Sequence, residues 1–246
     1  MCCALTIAPA NSNAGNLMPQ SDADESQYPQ QPNTARNEWL PEFTEVSVSA
    51  AIDIKFTRVP ESEAPRIVYD TKGLTDTKFK AFVDKKGVLT ITEKILRDER
   101  SKTTVEVFYH SLQLLEAEDA YVSFSQPVEE TMLKIDIAGG GKISAEVDIT
   151  DLEIILSGKN TRAKFSGKAR YLEISASSGL LDASALEAMD VDVASTYGAG
   201  VAVRVTERLK ATASTSATVS YRGTPAIIKG RVAVLGGTVK EVTGED

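Results

Sequence analysis

Few residues in this chain have types that could do chemistry. They are a single histidine, His110, and a set of carboxylates at one chain turn, Glu116, Glu118 and Asp119. Serine-type nucleophilic catalysis needs a base beside an activated hydroxyl, and no Gly-x-Ser-x-Gly elbow is present. His110 ends the alternating segment Val105–Tyr109 and shares a strand face with Glu106 and Phe108, so it is expected on a sheet surface. Zinc requires several His or Cys ligands, and the only cysteines are Cys2 and Cys3 at the extreme N-terminus. Calcium can be held by carboxylates alone, which brings in Glu116, Glu118 and Asp119, followed by Glu129 and Glu130. The Gly/Asp-rich calcium-roll phrase is absent, because Gly139-Gly140-Gly141 runs into Lys142, so a solvated turn is expected; as the corner that interrupts the repeat, Glu116, Glu118 and Asp119 are also the candidate binding corner. The same glycines open no helix and lack the Lys-Ser/Thr sequel of a phosphate loop. Glycan cleavage would want paired carboxylates, or one carboxylate beside Arg162, Lys164 or Lys142. Asp148, Asp151, Asp182, Asp190 and Asp192 are present, but spacing picks out no pair. Catalytic, metal-binding and cofactor-binding residues are therefore all expected to be none. For glycan binding without cleavage the candidate rings are Tyr121, Phe124, Tyr171, Tyr197 and Tyr221. Tyr197, set in a glycine corner, is expected to be the most exposed. Phe165 is expected in the core, and Trp39, beside Leu40 and Phe43, is expected to plug one end of the fold.

These side chains must be positioned by a repeat. One phrase, an apolar-x-apolar strand, small residues and a second apolar pair, recurs with heads at Leu112, Leu133, Leu152, Leu172, Val191 and Leu209. A unit of about 20 residues cannot bury its own apolar face and must stack on its neighbours. The expected fold is all-β, a right-handed parallel β-helix (β-solenoid) with about 18–21 residues per coil. The leucine-rich repeat phrase is missing. Small residues mark the corners in register: Gly139–Gly141, Ser157-Gly158, Ser178-Gly179, Gly198–Gly200 and Gly236-Gly237. Two corners lack glycine, Glu116–Ala120 and Ser214–Ala217, and are expected to bulge. Ala183–Met189 has helical propensity, but repeat register assigns it to a strand. Upstream, Val46–Ala50, Ile52–Phe56 and Ile67–Tyr69 alternate with period two, and Asp84–Gly87 reads as a hairpin turn. Residues 39–111 are thus a β-rich N-terminal part of irregular rungs or a cap, and residues 112–242 the regular repeats.

The N-terminus is of a different kind. Residues 1–10 form an apolar stub with a small-x-small pattern at Ala8–Ala10 but no basic start, as in a truncated export signal. Residues 11–38 are polar and proline-containing and are expected to be a disordered tether. If the natural start lies upstream, Cys2 or Cys3 followed by this tether matches the lipid-accepting cysteine of a bacterial lipoprotein, and placement is expected in the cell envelope, in the periplasm or on the outer-membrane surface. No apolar run is long enough for a transmembrane helix. The net charge of −8 and pI near 4.9 argue against nucleic acid, and favour a cationic or neutral partner, a protein or a glycan. The mixed-charge stretch Arg97–Lys102 reads as a solvated loop.

Phe43-Thr-Glu-Val46-Ser-Val48, Ile52-Asp-Ile54-Lys-Phe56, Gly87-Val-Leu89-Thr-Ile91 and the repeated Leu-x-Ile-x-x-Ser-Gly coils together resemble the head GIN domain family of auto-transporter-like adhesins of Bacteroidetes. The resemblance covers roughly residues 40 to 240. It implies a right-handed β-helix, surface or envelope placement, and adhesion without known catalytic residues. The expected function is a non-enzymatic adhesin-like binding module. The alternatives are a glycan-active β-helix enzyme, a lyase or hydrolase, and a structural envelope protein.

Overall fold

A computed structural model describes residues 35–72, 79–94 and 102–243. The N-terminal stub with Cys2 and Cys3, the tether through residue 34 and the charged stretch 95–101 lie outside the described residues. Among those described there is no helix. In chain order the strands are β1 (Arg36–Trp39), β2 (Glu45–Ser49), β3 (Asp53–Arg58), β4 (Arg66–Asp70), β5 (Lys80–Val83) and β6 (Val88–Thr92). There follow β7 (Thr104–Tyr109), β8 (Leu114–Glu118), β9 (Tyr121–Phe124), β10 (Val128–Ala138), β11 (Lys142–Ser157) and β12 (Arg162–Ser177). The last are β13 (Leu180–Thr196), β14 (Gly200–Ser214), β15 (Thr218–Arg222), β16 (Ile227–Val234) and β17 (Thr238–Glu241).

The regular part is a parallel β-solenoid, as its sequence period predicts. Leu133, Leu152, Leu172, Val191 and Leu209 are direct register partners from β10 to β14, and β16 continues the ladder with Ile228. The first head is displaced by one residue, because Lys134 pairs with Leu114 and so sets Leu133 opposite Gln113 rather than Leu112. Strands β11 to β14 are 15 to 17 residues long and bend within themselves. Their inward-outward alternation slips at Thr150-Asp151, Arg170-Tyr171, Met189-Asp190 and Glu207-Arg208. The halves before and after each slip belong to different faces. One face collects β6, β2, β8, the C-terminal halves of β10–β14, and β16. The other collects β7, β3, β9, the N-terminal halves of β11–β14, then β15 and β17. We call them the first and second face. Ala183–Met189 lies within β13, so register prevails over helical propensity.

The N-terminal part is irregular in a specific way. The coil β2–β3 is inserted between β6–β7 on one side and β8–β9 on the other, so the chain lays its next turn outside its first. That outer edge is then closed by reversed strands, β5 antiparallel to β6, and β4 antiparallel to β7 with β1 beyond it. Reversed strands consume the open backbone groups of a parallel edge and stop further stacking. β1 begins at Arg36, inside the segment read as tether. Trp39 does not plug this end. It is 66% exposed on the outermost strand, with the Arg66 guanidinium 5.9 Å from its ring. Phe43 fills the core there, and Tyr69 stacks on Phe79 at 4.4 Å.

The interior is one continuous apolar column set. Phe165 is fully buried, as expected from its register, and lies beside Ala145 on the preceding rung, so a large side chain is matched by a small one. Corners need positive φ, and the glycine-free ones achieve it without bulging. Asp119 stands at φ 62°, and Thr215 and Ser216 at 52° and 63°. Asp119 Oδ1 also accepts the Gly140 N–H at 2.7 Å, so the acidic residue both makes its corner and ties it to the next. Gly167 occupies a different position, within β12 opposite Val147, at φ 102°. A Cβ there would overlap the Val147 carbonyl oxygen, which the parallel ladder holds in place.

His110 is not on a sheet face, because β7 ends at Tyr109 and the chain turns. Its Nδ1 lies 3.0 Å from Glu42 Oε2 and its Nε2 2.6 Å from the Glu63 carbonyl oxygen. Both partners are acceptors, so both bonds form together only on the doubly protonated ring. The Glu63 carbonyl first, and the Glu42 carboxylate after it, raise the His110 pKa above its ordinary value, against an opposing desolvation effect.

Two outcomes follow from this architecture. Gly198→Ala, at φ 73° with nothing nearby, bears only the backbone cost of about 1–2 kcal/mol, whereas Gly167→Ala must also displace the Val147 carbonyl and loses ~3 kcal/mol or more. Urea denaturation of the two variants measures this, and equal losses would contradict the close-approach argument. The His110 contribution is fully present below the unfolded-state value of about 6.5 and is lost as pH rises through the raised folded-state value. The Tm difference between the parent and His110→Gln is therefore larger at about pH 5.5 than at about pH 9, and the one imidazole signal in the NMR spectrum titrates above about 6.5.

Candidate functional site

Two outward columns of the second face stand side by side. The first runs Thr104, Asp53, Tyr121, Lys142, Arg162, Leu180, Gly200, Thr218; the second runs Glu106, Lys55, Ser123, Ser144, Lys164, Asp182, Ala202, Ser220. Together they line an open groove with a cavity volume of about 1090 Å³. Two ammonium groups lie over the Tyr121 ring, Lys102 Nζ at 3.4 Å and Lys142 Nζ at 4.8 Å from its centre. Arg162 donates from Nη1 to the carbonyls of Lys159 at 3.3 Å and Thr161 at 3.0 Å, which fixes the guanidinium and leaves its other edge outward. Among the described residues no carboxylate forms an ion pair with Lys102, Lys142 or Arg162, while Lys55 pairs with Glu106 at 3.6 Å. Asp182 is held by the Ser184 hydroxyl at 2.6 Å and its N–H at 3.1 Å, and these bonds, the hydroxyl's first, lower its pKa below the ordinary carboxylate value.

The first face carries a different pattern. Its columns are acidic and cross-linked between rungs: Lys134 Nζ to Glu153 at 2.7 Å, Lys210 Nζ to Asp192 at 2.6 Å, and Arg208 to Asp190. Glu153 and Glu173, like charges, are register partners within that run. A groove of about 820 Å³ follows it past Met132, Tyr171 and Lys229. Two of the five aspartates considered for glycan cleavage, Asp190 and Asp192, are thus bound to cations on the next rung.

The acidic turn separates into distinct roles. Glu116 and Glu118 project from the exposed side of β8, Glu118 accepting from the Ser49 hydroxyl at 3.2 Å, while Asp119 turns back onto Gly140. Its three carboxylates do not converge, and among the described residues no group of three or more His, Cys, Asp or Glu could hold a metal ion. Asp136, which belongs to no motif, is the register partner of Glu116. Partial burial, and after it the Glu116 charge, raise its carboxyl pKa. Only the register of β8 on β10 reveals it, and that register is displaced by one residue from the repeat phrase.

Of the rings, Tyr197 is 69% exposed at a corner with φ 49°, as expected for a glycine-flanked position. Tyr171 is also exposed. Phe124 stacks on buried Phe56 at 5.3 Å. Tyr221 is a correction: it points inward from β15, is 1% exposed, and its hydroxyl accepts from Arg231 at 3.0 Å and donates to Glu241 at 3.2 Å. An even-spaced position on a solenoid strand faces the core whatever its polarity, and these two partners satisfy the buried hydroxyl. The exposed rings are dispersed over different faces and make no stacking platform.

Among the described residues no helix is long and apolar enough to cross a membrane. No curated protein matches the chain. Among solved structures it is similar to a putative adhesin from Bacteroides fragilis NCTC 9343, 17% identical with a TM-score of 0.73, covering 85% of this chain and 96% of that one. A putative adhesin from Parabacteroides distasonis ATCC 8503 is 18% identical with a TM-score of 0.65, over 85% and 96%. A putative lipid binding protein from the same organism is 15% identical with a TM-score of 0.59, over 85% and 96%. At such identities the likeness is one of fold. The family model described as "Putative auto-transporter adhesin, head GIN domain" matches residues 42–225, from just before β2 to just past β15. Most of the solenoid lies within that match, and the chain belongs to the head GIN domain family.

Proposed function

We propose that this chain is a non-enzymatic, adhesin-like binding module of the cell envelope, which recognises a protein or glycan through an outer face of its solenoid. The observation that carries this reading is the open groove along the second face, in which side chains of successive rungs stand in fixed columns over a rigid core. A parallel stack sets such columns at about 4.8 Å intervals, so the face is an extended ruler for a long ligand. Asp190 and Asp192 are tied to Arg208 and Lys210 across the first face, away from this groove. Membership of a family described as adhesins supports the same assignment.

In this reading Cys2 or Cys3 accepts a lipid after export, and the polar residues beyond it hold the solenoid ~30 Å from the membrane by random-coil scaling. In the same reading binding needs no cofactor, and the partner is a protein or glycan and not a nucleic acid.

A screen of glycans and matrix proteins, run beside a polysaccharide-cleavage assay, is expected to give binding without cleavage. Cleavage that disappears in Asp136→Asn would instead establish the hydrolase or lyase alternative. Expressed from its upstream sequence in a host that exports and acylates lipoproteins, the protein is expected to incorporate labelled fatty acid and fractionate with membranes. Cys2→Ala/Cys3→Ala should abolish both, and an unacylated cytosolic parent would remove the anchoring step.

A further inference from the structure

The second face opposes the charge balance of the whole chain. At −8 the protein should repel anions, yet Lys102, Lys142 and Arg162 cluster around Tyr121 with no carboxylate in ion-pair contact. Long cationic side chains usually move freely and lose entropy when a ligand fixes them. Here that ordering is already present. The Tyr121 ring, with both ammonium groups over it, orients Lys102 and Lys142, and two backbone carbonyls orient Arg162 while leaving Nε and Nη2 for a planar anion. Lys164 stands in the neighbouring column on the same rung as Arg162, facing Asp182 on the next. The anions of the groove are Glu106, paired with Lys55, Asp70, paired with Lys72, Asp182, held by Ser184 opposite Lys164, and Asp53, the register partner of Tyr121; none of these described residues is in ion-pair contact with Lys102, Lys142 or Arg162.

We propose that this patch, on β9 and the N-terminal halves of β11 and β12, binds an acidic glycan whose carboxylate or sulfate groups meet Lys142 and Arg162. The inference rests on the binding-module reading and names the ligand class for that groove. Lys142 and Arg162 are register partners one rung apart, and the chain crosses rungs at about 4.8 Å, so a polysaccharide lying along the solenoid axis presents successive acidic groups to successive cations. The floor on either side is made of short side chains, Ser123, Ser144, Gly200, Ala202, Thr218 and Ser220, which lets a flat sugar chain approach the sheet. A protein partner would want buried aromatic or aliphatic anchors, and Leu180 is the one large apolar side chain exposed in the groove. A nucleic acid places charge far more densely than three cations can match on a protein of net negative charge.

Titration of the full chain with polygalacturonate, with dextran as the neutral control and duplex DNA as the alternative polyanion, tests this directly. Polygalacturonate is expected to bind, to weaken as salt rises from about 0.05 M to about 0.5 M, and to bind roughly tenfold or more weakly to Lys142→Gln/Arg162→Gln. Lys168→Gln/Arg170→Gln makes the same change in net charge away from the groove and is expected to bind as the parent does. Both pairs are exposed, and unchanged circular dichroism and Tm show that the variants are folded. Absence of polygalacturonate binding, equal binding by the groove variant, an equal loss in the control variant, or DNA binding as tight as polygalacturonate would each overturn the proposal. Retained binding of a dextran or matrix protein in those cases would leave the module reading standing, whereas failure of every ligand would remove both.

Discussion

The parallel ladder is the constraint on which the rest of this molecule depends. Each coil must offer its backbone to the next in the same register, so residues about 19 positions apart become neighbours and every side-chain position becomes a column. Inward columns have to be apolar along their whole length, because a buried polar atom on one rung has only its neighbours to satisfy it. Thr161 and Ser195 are the tolerated exceptions in the repeats. Each lies at a corner and donates to a backbone carbonyl there, Thr161 to Gly139 at 2.9 Å and Ser195 to Ala199 at 3.3 Å. The corners obey the same rule in another form. Their backbones stack closely, so each needs positive φ, and the residues that supply it are mostly glycines, an aspartate bonded to the next coil and short hydroxyl residues, with Tyr197 and Leu235 beside glycines at two corners.

Columns also decide how charge behaves on this surface. Like charges in one column sit a strand spacing apart and repel unless an opposite charge intervenes. The first face resolves this with cations at Lys134, Arg208 and Lys210, leaving Glu153 against Glu173 and Glu116 against Asp136. The raised Asp136 pKa is where that strain and burial meet. The second face resolves its own repulsion through a ring, with the Lys102 and Lys142 ammonium groups over Tyr121. Exposed pairs of this kind add little to stability individually, so their arrangement bears on what the faces can bind more than on how firmly the solenoid holds together.

The repeats were legible because the constraint writes itself into the chain. Leu152, Leu172 and Val191 could be aligned by eye, and the inward placement of Phe165 followed from them. Leu112 was misaligned by one because β8 is short and begins after an irregular link, where no column yet fixes the frame. The insertion of β2–β3 between later coils could not be read at all, since a parallel pairing across such sequence distances leaves no local mark. Trp39 and Tyr221 failed for opposite reasons. The apolar neighbours of Trp39 point to the core, yet its strand lies on the outside of the cap; Tyr221 is a ring on an alternating strand, and its parity turns it inward.

The same reasoning explains why composition says little about what a single face binds. Net charge sums over all columns, whereas a ligand meets one face. On the first face stand Glu116 and Glu118 of β8 and Asp136, Glu153, Glu173, Asp190 and Asp192 of the C-terminal halves of β10 to β13, whereas Lys142, Arg162 and Lys164 of the N-terminal halves of β11 and β12 stand on the second. A bent strand makes this possible: the slip in alternation near Thr150 and Arg170 sends the two halves of one strand to different faces, so Lys142 and Glu153, or Arg162 and Glu173, belong to the same strand without sharing a surface. Segregated faces of opposite character thus arise from a single repeat unit, and the bend, more than the overall composition, sets what each face can recognise.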